Sequence, residues 1–160
     1  MSGDIARVVL WFDAAAEHRA AIATAASVAA ATRSPLRAIF VEDEELLRLA
    51  RSRIARQVAW GGGTGPFGAE FVALHLRAVA ERARMELAAA ADAQGIEWSF
   101  ETLRGDLASL AAGMTARDLV VAGMLTRPVA GYFRVECRWW TSIGAAAGPV
   151  LFSRGSWAAH

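Results

Sequence analysis

Three apolar runs end on residues suited to meeting a ligand. Arg7–Asp13 (RVVLWFD) stops at a carboxylate, Leu36–Asp43 (LRAIFVED) at two, and Asp118–Gly123 (DLVVAG) at a glycine. Runs of this kind, with the first two separated by an alanine-rich helical stretch, read as parallel strands joined by crossover helices. In such sheets ligands sit at the carboxyl ends of the strands. Asp13, Glu42, Asp43 and Gly123 are therefore expected to gather at one rim. Asp13 equally suits a cap on the helix that follows it.

Other chemistry-bearing residues are scattered. His18, His75 and His160 share no ligand spacing, so no metal site is expected. Ser142 and Cys137 have no adjacent base that would make either a nucleophile, and no catalytic residue is assigned. The run GGGTGPFG at 61–68 follows a helical pattern, whereas a phosphate cradle belongs between a strand and a helix; it reads as a surface connection.

Composition narrows the classes further. All seventeen basic residues are arginine. A phosphate-loop lysine and a Schiff-base lysine are both absent, which excludes a P-loop nucleotidase and a pyridoxal-type enzyme. Cys137 is the single cysteine, so no internal disulfide forms. The net charge of +1 provides no general attraction to nucleic acid. Arg and Glu punctuate every alanine-rich run, leaving no membrane span, and the MSGDIARVVLWFD start lacks the pattern of a secretory signal. A cytoplasmic protein is the expectation, with no nucleic-acid or membrane partner.

The elements that must position the rim follow from periodicity. Strands are expected at 7–12, 36–41, 97–103, 118–122 and 149–153. Helices are expected over 14–32, over EELLRLARSRIARQVAW with Asp43 as its cap, over 69–93 and over 107–115. In the longest helix Phe71, Leu74, Val79, Met85 and Leu87 are read as core-facing, with Arg77, Glu81, Arg82, Arg84 and Glu86 outside. Gln94-Gly95 ends it. The alternation in 97–103 places that strand near an edge. The whole of 1–160 is expected to be one domain, a three-layer α/β sandwich with a five-stranded, mainly parallel sheet.

In order and spacing these marks resemble the universal stress protein family across nearly the whole chain. They are a first strand ending at Asp13, a second ending near Val41, Gly105-Asp106 after the third, DLVVAG at 118–123, and Gly148-Pro149-Val150-Leu151. The resemblance implies the adenine nucleotide alpha hydrolase-like topology and, in ATP-binding members, a nucleotide held by the first-strand aspartate, the second-strand end and a loop of form G-x2-G-x9-G-[ST]. Carried over by position, Asp13, Val41 and Gly123 match. Thr126 stands at the second glycine, beside Arg127, and Glu136-Cys137 replaces the closing glycine and hydroxyl residue. Trp11, two residues before Asp13 on the same strand face, competes for the space a purine would need.

The expectation is a non-catalytic, universal-stress-protein-like protein acting through protein contacts or small-ligand sensing, with no resident cofactor. The alternative is an ATP- or AMP-binding member using Asp13, Val41, Gly123, Thr126 and Arg127. Related proteins pair through their final strand, which implies a homodimer through Pro149–Ser153. The aromatic region of Phe133, Trp139, Trp140 and Trp157 offers a contact for a partner or second subunit.

Overall fold

A computed structural model describes residues 5–13, 18–42, 47–48, 51, 56–58, 64–66, 69–104, 111, 113–123 and 148–153. Strands β1 (Arg7–Asp13), β2 (Leu36–Glu42), β5 (Trp98–Arg104), β6 (Asp118–Gly123) and β7 (Val150–Ser153) form one sheet in the order β5-β2-β1-β6-β7, every neighbouring pair parallel. The α/β architecture is as the sequence predicts, with strand limits within about two residues.

β1 lies at the centre and is buried on both faces, which is why it is apolar throughout rather than alternating. One face carries Val8, Leu10, Phe12, Leu36, Ala38, Phe40 and Val121 under helices α1 (His18–Thr32) and α2 (Ala69–Gln94). The other carries Val9, Trp11, Ile39, Val41 and Val120 under Ala111. The edge strand β5 is only half-covered, as its alternation predicts.

The helices meet through small residues. α1 buries Ala21, Ile22, Ala25, Ala26 and Ala29, and α2 buries Val72, Leu76, Ala80, Ala83, Leu87 and Ala91. This corrects the expected core face of α2. Phe71, Leu74 and Met85 are exposed, at 57%, 67% and 62%, while Val79 is only partly buried and Leu87 is fully buried. Alanines share the buried face of α2 with Val72, Leu76 and Leu87, so side-chain size alone does not mark the core.

Both helices end in the same hydrogen-bond pattern. Ser34 N–H donates to Ala29 C=O and Arg33 N–H to Ala30 C=O; Ile96 N–H donates to Ala91 C=O and Gly95 N–H to Asp92 C=O. The turning residue is left-handed in each, Arg33 at φ 52° and Gly95 at φ 64°. The Ser34 hydroxyl then donates to Ile5 C=O at 2.8 Å, tying the exit of α1 to the entry of β1.

Two further expectations are corrected. Arg56–Val58 is a strand, β3, rather than the end of a helix running to Trp60, and it pairs antiparallel with β4 (Thr64–Pro66), which lies inside the stretch read as a surface connection. Met114 and Thr115, placed in a helix over 107–115, are not helical; Met114 N–H donates to Ala111 C=O in a turn.

Candidate functional site

The chain runs from β1 outward through β2 to β5, then returns to β6 on the opposite flank of β1. Successive crossovers therefore depart in opposite directions from β1, and the carboxyl ends of β1 and β6 flank a topological switch point, where α/β sheets open a crevice. Asp13 closes β1 in register with Val41, and Gly123 closes β6 in register with Ser153. The sheet brings Asp13, Val41 and Gly123 to one rim. Thr126, Arg127, Asp43, Gly105, Asp106, Phe133, Glu136, Cys137, Trp139, Trp140, Ser142, Trp157 and His160 lie outside the described residues.

Directly below Asp13 on the same face, Trp11 is 4% exposed and packs with Val9, Ile39, Val41, Ala111 and Val120. Its indole Nε1–H is buried without an acceptor. Leaving a buried donor unmatched costs on the order of 1–3 kcal/mol, so this N–H is a defect that packing of the ring must outweigh.

The opposite face of the rim holds two features that sequence reasoning did not assemble. Glu42, 7% exposed as a residue, accepts from Arg104 Nε at 2.6 Å, and the two stand opposite each other in the β2–β5 register. The Glu42 carboxylate raises the Arg104 guanidinium above its ordinary value, through the hydrogen bond first and the charge second. The signal was the register itself: once the apolar runs are aligned, the last residues of β2 and β5 are a Glu and an Arg.

His18, at the start of α1, lies 4.9 Å from the Phe12 ring and 6.5 Å from Phe40, centroid to centroid, and its Nδ1 is buried without a partner. Burial lowers its pKa below the ordinary value and outweighs the opposing pull of Asp13 and Glu86. At neutral pH it is an uncharged ring in an aromatic cluster.

At the far, amino-terminal end of the sheet, Asp118 is 2% exposed and takes a two-pronged hydrogen bond from Arg7, Nε to Oδ1 at 3.1 Å and Nη2 to Oδ2 at 2.8 Å. Thr115 N–H donates to the same Oδ2 at 2.9 Å. Burial alone would raise this carboxyl; the Arg7 and Thr115 hydrogen bonds and the guanidinium charge together prevail and hold it below its usual range. The aspartate of DLVVAG is thus structural and remote from the rim.

No group of His, Cys, Asp and Glu among the described residues is placed to hold a metal ion, and no described helix is long and apolar enough to cross a membrane. No family model matches the chain, and no curated protein does. Solved structures do match over the full length. The universal stress protein UspA from Lactobacillus plantarum aligns with 96% of this chain and 100% of its own at 16% identity and a TM-score of 0.62. The fold is that of the universal stress proteins.

A universal stress protein solved in complex with cAMP aligns over 96% of this chain and all of its own, at 17% identity and a TM-score of 0.56. A universal stress protein family structure from Burkholderia pseudomallei aligns over 95% and 98%, at 15% identity and a TM-score of 0.53. What this chain shares with these universal stress protein structures is the fold, over nearly the whole of each chain.

Proposed function

We propose that this chain is a non-catalytic, universal-stress-protein-like homodimer that acts through protein contacts or by sensing a small ligand at the carboxyl rim of the sheet. The observation that carries this reading is Trp11. A ring of purine dimensions packs beneath Asp13 on the face of the switch-point crevice, between β1, β2, β6 and Ala111. A purine seated against Asp13 on this face would compete for space with an indole whose burial stabilises the fold by roughly 2–3 kcal/mol. Pairing through Pro149–Ser153 is supported by an edge strand that exposes Leu151 and Phe152.

Calorimetric titration with ATP, AMP and cAMP tests the reading. The expected outcome is no saturable heat at low micromolar ligand. Low-micromolar binding that Asp13→Ala abolishes would replace this reading with that of a nucleotide-binding protein using Asp13, Val41, Gly123, Thr126 and Arg127.

A further inference from the structure

Helix α2 has two apolar faces, and the fold uses one. The buried face repeats at Val72, Leu76, Ala80, Ala83, Leu87 and Ala91. On the diametrically opposite side Phe71, Leu74, Ala78, Met85 and Ala89 fall in one narrow stripe at helical spacing, all exposed. Isolated exposed apolar residues need no explanation, but a Phe, a Leu and a Met aligned along about four turns of one helix form a contiguous strip of the kind that marks a contact surface.

The residues around the stripe say what covers it, because they mirror about Ala78. Phe71 and Met85 lie equally far on either side of Ala78, as do Leu74 and Arg82. Along one flank the charges run Glu70, Arg77, Glu81, Arg84; read backwards with signs reversed, the order is the same. An antiparallel copy crossing at Ala78 therefore sets Phe71 against the partner's Met85, Leu74 under the aliphatic stem of the partner's Arg82, and a small residue against itself at the closest approach. Along the flank it sets Glu70 near the partner's Arg84 and Arg77 near the partner's Glu81. A parallel copy would instead set this flank against the partner's other flank, where Glu70 and Arg77 find no opposite charge at their own height.

We propose that the exposed face of α2 is an isologous docking surface for a second copy of this chain, antiparallel and centred on Ala78. This contact is separate from the Pro149–Ser153 edge, on a different part of the molecule, and stands whether or not that edge also pairs. Glu81 now accepts from Arg84 of its own helix at 2.6 Å, and in the pair its carboxylate lies between that guanidinium and the partner's Arg77.

Two measurements test it on the full chain. In sedimentation at high micromolar concentration, Phe71→Glu with Met85→Glu should halve the apparent mass while leaving the circular dichroism and Tm of the wild type intact, since both residues are exposed. In a Cys137→Ser background, Ala78→Cys should form a disulfide-linked dimer under mild oxidation, and Ala89→Cys, on the same stripe but far from the axis, should not. An unchanged mass in the double variant overturns the proposal. So does equal cross-linking at both positions, which would mean parallel packing, or cross-linking at neither. Leu151→Glu, which disables the other edge, should leave the Ala78→Cys cross-link in place, so failure of the β7 contact and failure of this one are read separately.

Discussion

Asp118 and His18 respond to acid in opposite ways at the level of mechanism but in the same direction of stability. The Asp118 carboxyl is held below its unfolded value by Arg7 and Thr115, so its contribution is present above about pH 4 and is lost as pH falls through the lower folded value. Asp118→Asn should lower stability by about 2–3 kcal/mol at pH 7 in urea titration, because the Arg7 guanidinium, two-thirds buried, loses its charged partner. The variant should also lose the steep acid limb. His18 acts earlier. Its folded value lies below the unfolded value of about 6.5, so the unfolded chain takes up the proton first and stability declines as pH drops from about 6.5 toward the folded value. His18→Phe, which keeps an aromatic ring beside Phe12, should flatten that upper segment of the pH profile and leave the Asp118 segment unchanged. A profile in which His18→Phe removes both segments would contradict this division.

The two helix exits make a natural pair of experiments among the elements. Both chains of hydrogen bonds demand a left-handed residue, but α1 supplies Arg33 and α2 supplies Gly95. Arg33→Gly should stabilise by about 0.5–1 kcal/mol, relieving a conformation that costs an L side chain roughly 1–2 kcal/mol against the extra freedom glycine adds to the unfolded chain. Gly95→Ala should cost about 1 kcal/mol for backbone reasons alone, since its Cβ would meet nothing within 4 Å. Gly148→Ala is a different case. Its Cβ would stand 2.2 Å from Asp118 O and 3.0 Å from Thr115 O, both backbone atoms, so the entry to β7 must move. The Val120 N–H bond to Pro149 C=O is the neighbour it would disturb, and the loss should exceed that of Gly95→Ala several-fold in denaturant midpoint. These elements also show where sequence reasoning succeeds and fails. Gln94-Gly95 is legible because glycine advertises the turn, whereas Arg33 performs the same turn without that signal. The core face of α2 is misread for a related reason: Ala80, Ala83 and Ala91 carry little hydrophobic weight in a pattern, yet all three are buried, Ala80 and Ala83 in one cluster with Ala21, Ala25 and Ala29. β3 is hidden because the three- and four-residue recurrence of Leu46, Leu47, Ala50 and Ile54 carries the eye past Arg56.

At the scale of the whole molecule, Asp13, Val41 and Gly123 are legible as one rim because parallel strands that begin in register also end in register. The burial of Trp11 could be guessed from strand alternation, but its unmatched N–H could not, since that depends on what the neighbouring layers fail to provide. The two margins of the sheet differ in kind. On the β5 side Arg37 pairs with Glu101 and Arg104 with Glu42, and Ser99, Thr102 and Arg104 face solvent, while the β7 side presents Leu151 and Phe152. A strand arriving at β5 would have to strip water from that charged border before making a single hydrogen bond, whereas one arriving at β7 meets hydrocarbon. If two copies pair through β7 as proposed, each end of the enlarged sheet would be a β5 border, and lateral growth into fibres would stop there.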